Sequence, residues 1–140
     1  MSFITNTHIE VKKQFNTYLS LSAEEQVVLR ILAVCYEPMS LTLFRNILFS
    51  LSKSIGFIEA CSDVEMDVQL DKVFSPSFRD LLAKRSMITL NNNGVRISDH
   101  LCHVLTMQCV KDKTLAIIIS ETYDMFPVQT SSRWGSIEHV

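Results

Sequence analysis

Glycine is scarce in this chain, with three residues in 140. Phosphate-cradling glycine loops and glycine-punctuated β repeats need more than that. Long apolar runs are missing too. Leaving tyrosine aside, the longest, Ile31 to Cys35 and Leu115 to Ile119, span five residues each, against about 20 for a membrane-spanning helix. No basic stretch leads into an apolar one near the start, so no secretory signal and no membrane partner are expected. Charge is modest at 20% of residues, with 13 basic and 15 acidic side chains. The sequence contains no Gly-x-Ser-x-Gly elbow, His-Glu-x-x-His pair, Walker loop or Gly-x-Gly-x-x-Gly, so no catalytic residue and no cofactor is expected.

Apolar side chains are abundant, at 47% of residues, and the mean hydropathy is +0.19. One domain of this length buries roughly 68% of its chain surface, enough for an independent core. Such a composition fits a dense helical core. It equally fits a domain whose apolar surface is covered by a partner, a second copy or further domains. The four cysteines, at 35, 61, 102 and 109, read as reduced thiols in a cytoplasmic protein. His100, Cys102, His103 and Cys109 invite a zinc assignment. On a helix, however, the two cysteines would lie about 10.5 Å apart along the axis, so no metal is expected.

Residues 1–21 form a lead-in, with a short amphipathic helix around Ile9 to Leu19 whose apolar stripe is Val11, Phe15, Tyr18 and Leu19. Ser22-Ala-Glu-Glu25 is a capping box. It opens a helix from Ala23 to about Tyr36 that is apolar on nearly every side and therefore central. Pro38 ends that helix. Ser40 caps the next, from Leu41 to about Leu51, with Arg45 and Asn46 looking outward. Lys53 to Phe74 is less legible. Asp63 to Asp71 alternates like a strand, yet Ser62-Asp-Val-Glu65 is a second capping box and Met66, Leu70, Val73 and Phe74 keep helical spacing. Helix is the expectation there. Asp63, Glu65 and Asp67 lack the glycine and terminal glutamate of a calcium loop.

Ser75-Pro76 opens a helix from Pro76 to Arg85 with a buried stripe of Phe78, Leu81 and Leu82. A β-hairpin follows: Met87 to Leu90, a turn over Asn91-Asn-Asn-Gly94, and Val95 to Ser98. Asp99 caps the last long helix, to about Phe126 with a break near Lys111 to Lys113, and its core stripe begins with Leu101, Val104, Leu105 and Val110. Residues 127–140, polar apart from Val128, Trp134, Ile137 and Val140, look like a tail or linker. That would make the chain the N-terminal piece of something longer.

The fold class expected is mainly α with a small β-hairpin, α+β. In its element order the chain resembles a winged helix-turn-helix domain over residues 22–98, with an extra N-terminal helix and a C-terminal helical extension over 99–126. The resemblance is carried by Leu29-Arg-Ile-Leu-Ala33, Pro38-Met-Ser-Leu-Thr-Leu43, Leu81-Leu-Ala-Lys-Arg-Ser-Met-Ile88, the asparagine-rich turn and Val95-Arg-Ile97. The acidic insert between the second and third helices departs from it. The resemblance implies that the third helix enters a DNA groove and the wing touches the backbone. By position, the nucleic-acid-binding residues would be Ser77, Arg79, Lys84 and Arg85 on the helix, with Asn91, Asn92, Asn93 and Arg96 on the wing. Charge is segregated accordingly: residues 76–98 carry four basic side chains against one acid, and residues 59–75 carry one against five. Two functions are therefore expected to compete. One is a non-catalytic module binding duplex DNA in transcription-type regulation; the other is a protein-interaction module that dimerises through its C-terminal helix or docks on other domains.

Overall fold

Helix α2, Ala23–Cys35, organises the structure. Its capping box closes as expected: the Glu25 amide donates to Ser22 Oγ at 3.2 Å, and the Ser22 amide donates to the Glu25 carboxylate at 3.0 Å. Val27, Val28, Leu29, Ile31, Leu32, Ala33, Val34 and Cys35 are all buried, so the helix is enclosed on every side. In this computed structural model residues 3–61 and 68–125 are described. The expected capping box at Ser62–Glu65, the acidic side chains 63, 65 and 67, Met66, and the tail with Trp134 lie outside them. Among the described residues the chain is mostly helical, with one two-stranded antiparallel sheet. None of those helices is long and apolar enough to cross a membrane.

Ahead of α2 runs α1, Phe3–Leu19, longer than the expected lead-in helix. Its inward face holds Gln14 and Tyr18, while Leu19 is exposed. A polar residue can take that inward place because its amide is fully used. Gln14 Nε2 donates to the Ser86 carbonyl at 3.1 Å, and its Oε1 accepts from Ser98 Oγ at 2.6 Å. Gln14 thus rivets α1 across both ends of the hairpin.

Tyr36 ends α2 with φ 58°, and the Glu37 amide donates back to the Cys35 carbonyl at 2.6 Å. This is a γ-turn, a strained shape for a side chain as bulky as tyrosine. Ser40 then caps α3, Leu41–Ser52, which buries Phe44, Ile47, Leu48 and Leu51. The illegible stretch contains two short helices, α4 (Ile55–Ala60) and α5 (Leu70–Val73). Helix α5 packs on α3 and α2. Its leading amide, from Leu70, donates to Ser52 Oγ at 2.9 Å.

Helix α6, Pro76–Lys84, is capped by Ser75 and carries proline in its first turn. It buries Phe78 and Leu82, but Leu81, expected in the stripe, is 38% exposed. The helix is only nine residues long and packs mainly on β1, so one narrow stripe suffices. The hairpin pairs β1 (Ile88–Asn91) with β2 (Gly94–Ile97), Ile88 facing Ile97 and Asn91 facing Gly94. The turn is therefore tighter than expected: only Asn92 and Asn93 lie outside the pairing. The Asn93 amide donates to Asn91 Oδ1 at 2.8 Å, an Asx turn. A third segment joins the sheet through one residue. Met39 and Val95 exchange both backbone bonds, at 3.2 and 2.8 Å.

Ser98, not Asp99, caps α7 (Asp99–Asp112), its Oγ accepting from the Leu101 amide at 3.3 Å. The inward stripe is Leu101, Leu105 and Cys109, and Val110 faces outward at 47% exposure. The break expected near Lys111–Lys113 is present. Lys113 takes φ 63°, while Thr114 and Lys113 donate back to the Cys109 and Val110 carbonyls. This is the Schellman pattern, with lysine where glycine is usual. Helix α8, Leu115–Thr122, and a 3-10 turn, Tyr123–Met125, complete the described chain.

Candidate nucleic-acid interface

The outward side of α6 carries Ser77, Asp80, Leu81 and Lys84, followed by Arg85 past its last turn, all exposed. Ser77 Oγ lies 3.2 Å from Ser75 Oγ. Arg79 sits half-buried on the flank with its guanidinium 5.7 Å from the centre of the Phe74 ring. Phe74 is itself wedged edge-on between Phe44 and Phe78, so Arg79 rests on a rigid platform. The helix ends in a second Schellman turn. The Met87 amide donates to the Leu82 carbonyl at 2.9 Å and the Ser86 amide to Ala83 at 3.0 Å, with Ser86 at φ 60°. The turn folds Lys84 and Arg85 over α1. There they line a cleft of about 270 Å³ with Glu10, Lys13, Gln14, Thr17 and Ser86.

The hairpin residues gather elsewhere. Asn91, Asn93 and Arg96 line a hollow of about 390 Å³ with Pro38, Thr89 and Gly94, while Asn92 stands exposed at the tip of the turn. Arg96 is held closely. Its Nη2 donates to Tyr36 Oη and to Asp99 Oδ1, both at 2.8 Å, and the guanidinium lies 4.8 Å above the Tyr36 ring. Burial works against its charge, but the Tyr36 hydrogen bond and the Asp99 carboxylate outweigh that and raise its pKa above the ordinary arginine value. The ion pair is itself a surface one, with the Asp99 side chain 73% exposed, so it adds at most about 1 kcal/mol. The expected site residues are thus dispersed: Ser77 lies on the outward side of α6 and Arg79 on its flank, Lys84 and Arg85 share the cleft against α1, and Asn91 and Asn93 share the hollow with Arg96.

Three participants escape a reading of the sequence alone. Lys13 reaches Lys84 and Arg85 only because Gln14 docks α1 across 72 residues of chain. Tyr36 looks like an ordinary helix end until its strained turn sets it under Arg96. Asp99 looks like a cap, yet it pairs with a side chain three residues back.

No family model, curated protein or solved structure matches the chain.

The cysteines are thiols, with Cys35, Cys61 and Cys109 buried and Cys102 half-buried. Among the described residues no group of three or more histidine, cysteine or acidic side chains could hold a metal ion. Burial pushes the Cys61 thiol from an ordinary value near 9 up to about 11, against the opposing pull of the Arg30 guanidinium. Burial raises Cys109 as well, with Thr114 and Arg30 opposing. A thiol that ionises later in the folded chain than in the unfolded one leaves stability unchanged below about pH 8.5. Above that pH only the unfolded chain releases its proton, so stability falls until about pH 11. Urea unfolding is therefore expected to give a level midpoint from pH 7 to about 8.5 and a falling one above. Cys61→Ala should flatten part of the fall. An unchanged slope in that variant would show that Cys61 does not carry it.

Proposed function

We propose that this chain is a non-catalytic winged-helix module that binds duplex nucleic acid, as a DNA-binding regulator of transcription type would. Support for the fold comes from the element order and from Met39 pairing with Val95, which supplies the short extra strand beside the hairpin. With α2 and α3 as the first two helices and α6 as the third, β1 and β2 are the wing. The observation that carries the functional proposal is the exposed pair Lys84 and Arg85 at the end of α6 with half-buried Arg79 on its flank, together with an exposed asparagine turn, in a chain whose net charge is −2. Asp80 and Leu81 occupy the middle of the outward face of α6. Arg79 therefore lies on one side of them and Lys84 with Arg85 on the other, about 8–9 Å apart along the axis at 1.5 Å per residue, and these cations suit phosphates better than base edges. Weak sequence preference follows. The cytoplasmic setting proposed with this function rests on the four thiols.

The experiment is a fluorescence-anisotropy titration of a 20-base-pair duplex at several salt concentrations. The logarithm of the association constant should fall linearly with that of salt, with a slope of about −2 to −4, as two to four phosphate contacts give. No binding at low salt, or a flat salt response, would remove the nucleic-acid function.

A second reading, the interaction module, is favoured by Met107 and Val110. They lie three residues apart on the outer face of α7 at 46% and 47% exposure, neighbours on one helix surface. Here α7 would pair with a second copy or with other domains of a longer polypeptide. A stable dimer in sedimentation that ignores duplex DNA and dissociates in Met107→Glu would select this reading.

A further inference from the structure

The cleft between α1 and the end of α6 is built rather than incidental. Three cationic side chains, Lys13 of α1 with Lys84 and Arg85 at the end of α6, line it against a single acid, Glu10. Its geometry is set by hydrogen bonds of a buried glutamine. Gln14, 3% exposed, ties α1 to the Ser86 carbonyl and to Ser98, and the Schellman turn at Ser86 fixes where α6 stops. Lys84 and Arg85 have an ordinary reason to be there, since cations near a helix C-terminus favour its dipole. Lys13 is exposed and has only Glu10, three residues earlier on α1, as an opposite charge in the cleft. It lies inside α1, more than a turn from either end, and suffers repulsion from the two like charges beside it.

From this we propose that the cleft binds one phosphate group, with Lys13, Lys84 and Arg85 as its cationic ligands. Resting on the nucleic-acid function proposed above, that phosphate is a backbone phosphodiester of the bound duplex, so α1 becomes part of the interface beside the third helix and the wing. Glu10 sets the strength. Its carboxylate lines the same cleft and opposes an anion there, and Gln14 Nε2 lies 3.5 Å from it.

The test uses the full chain with three single variants, Lys13→Gln, Glu10→Gln and, as control, Lys12→Gln. Lys12 is exposed on α1 but outside the cleft lining. Lys13→Gln should weaken duplex binding several-fold and reduce the salt slope by part of the roughly 0.9 that one phosphate contributes, since Lys84 and Arg85 still meet it. Glu10→Gln should strengthen binding about fivefold at low salt, one charge removed at contact distance in water. Lys12→Gln should leave the slope unchanged. A slope in Lys13→Gln equal to that of the wild type, or equal losses in Lys12→Gln and Lys13→Gln, overturns the proposal. If the wild type ignores duplex DNA altogether, the nucleic-acid function falls and inorganic phosphate decides instead. Amide shifts at Lys13, Arg85 and Ser86 that saturate with phosphate, weaken in Lys13→Gln and strengthen in Glu10→Gln would keep the phosphate site. Their absence would end it.

Discussion

Gly94→Ala should cost the fold at least about 3 kcal/mol, the sum of strain at a positive φ and of overpacking. Gly94 has φ 111°, and a Cβ there would overlap the carbonyl carbon and oxygen of Met39. That carbonyl accepts the Val95 amide at 2.8 Å, while Met39 is 4% exposed and Val95 fully buried. Neither side can yield cheaply. The backbone of Met39 would have to leave the sheet, stranding two buried hydrogen-bonding groups. For a domain near this size the expected loss is roughly 10 °C or more in Tm. Gly56 provides the control. It lies within α4, where a Cβ meets nothing within 4 Å, so Gly56→Ala should stabilise by about 0.5–1 kcal/mol. Thermal and urea unfolding of both variants read the contrast. A Gly94→Ala protein within about 1 kcal/mol of wild type would mean that the Met39–Val95 pairing adds little, since no tolerated shift of that backbone preserves it.

What is legible in the residues themselves depends on range. Helix α2 announces itself through two reciprocal cap bonds and eight apolar neighbours, all local features, and the structure buries each of those eight. The hairpin is legible because asparagine and glycine are the residues its turn tolerates. Even so, the turn is two residues shorter than expected, because Asn91 and Gly94 still pair. Helix α4 spans six residues, too few to show a period. Gln14 defeats the apolar pattern outright: its inward place is stabilised by Ser86 and Ser98, 72 and 84 residues away. The same limit applies to the site. The sequence names the charged residues of α6 and the wing, but not their division into separate clefts. That division comes from the docking of α1 and from the strained turn at Tyr36, the latter with no glycine to mark it.

Removing the four basic side chains of α6 and the hairpin together should have the largest functional effect. In Arg79→Ala/Lys84→Ala/Arg85→Ala/Arg96→Ala, each phosphate left without its cation would take about 0.9 from the salt slope. Lys84 and Arg85 share one phosphate with Lys13, so up to three phosphates lose a cation and the slope shrinks by up to about 2.7, while affinity at low salt drops by about three orders of magnitude, at roughly 1 kcal/mol per cation–phosphate pair. The four should not contribute alike. The side chains of Lys84 and Arg85 are exposed, so each should act as a simple point charge. Arg79 is pre-positioned on Phe74 and forfeits less side-chain entropy on binding. Both N–H groups of Arg96 Nη2 are already engaged by Tyr36 and Asp99, leaving Nη1 and Nε to meet a phosphate. Arg96→Ala alone should therefore weaken binding less than Lys84→Ala and lower stability more, since it empties the place above the strained Tyr36 ring. Asp99→Asn offers the opposite perturbation: it removes the competing carboxylate and should raise duplex affinity. Anisotropy titrations and urea unfolding of the single variants separate these effects. Equal affinity losses at Arg96 and Lys84, with no change in stability at Arg96, would show that the Tyr36–Arg96–Asp99 contact does not persist in solution.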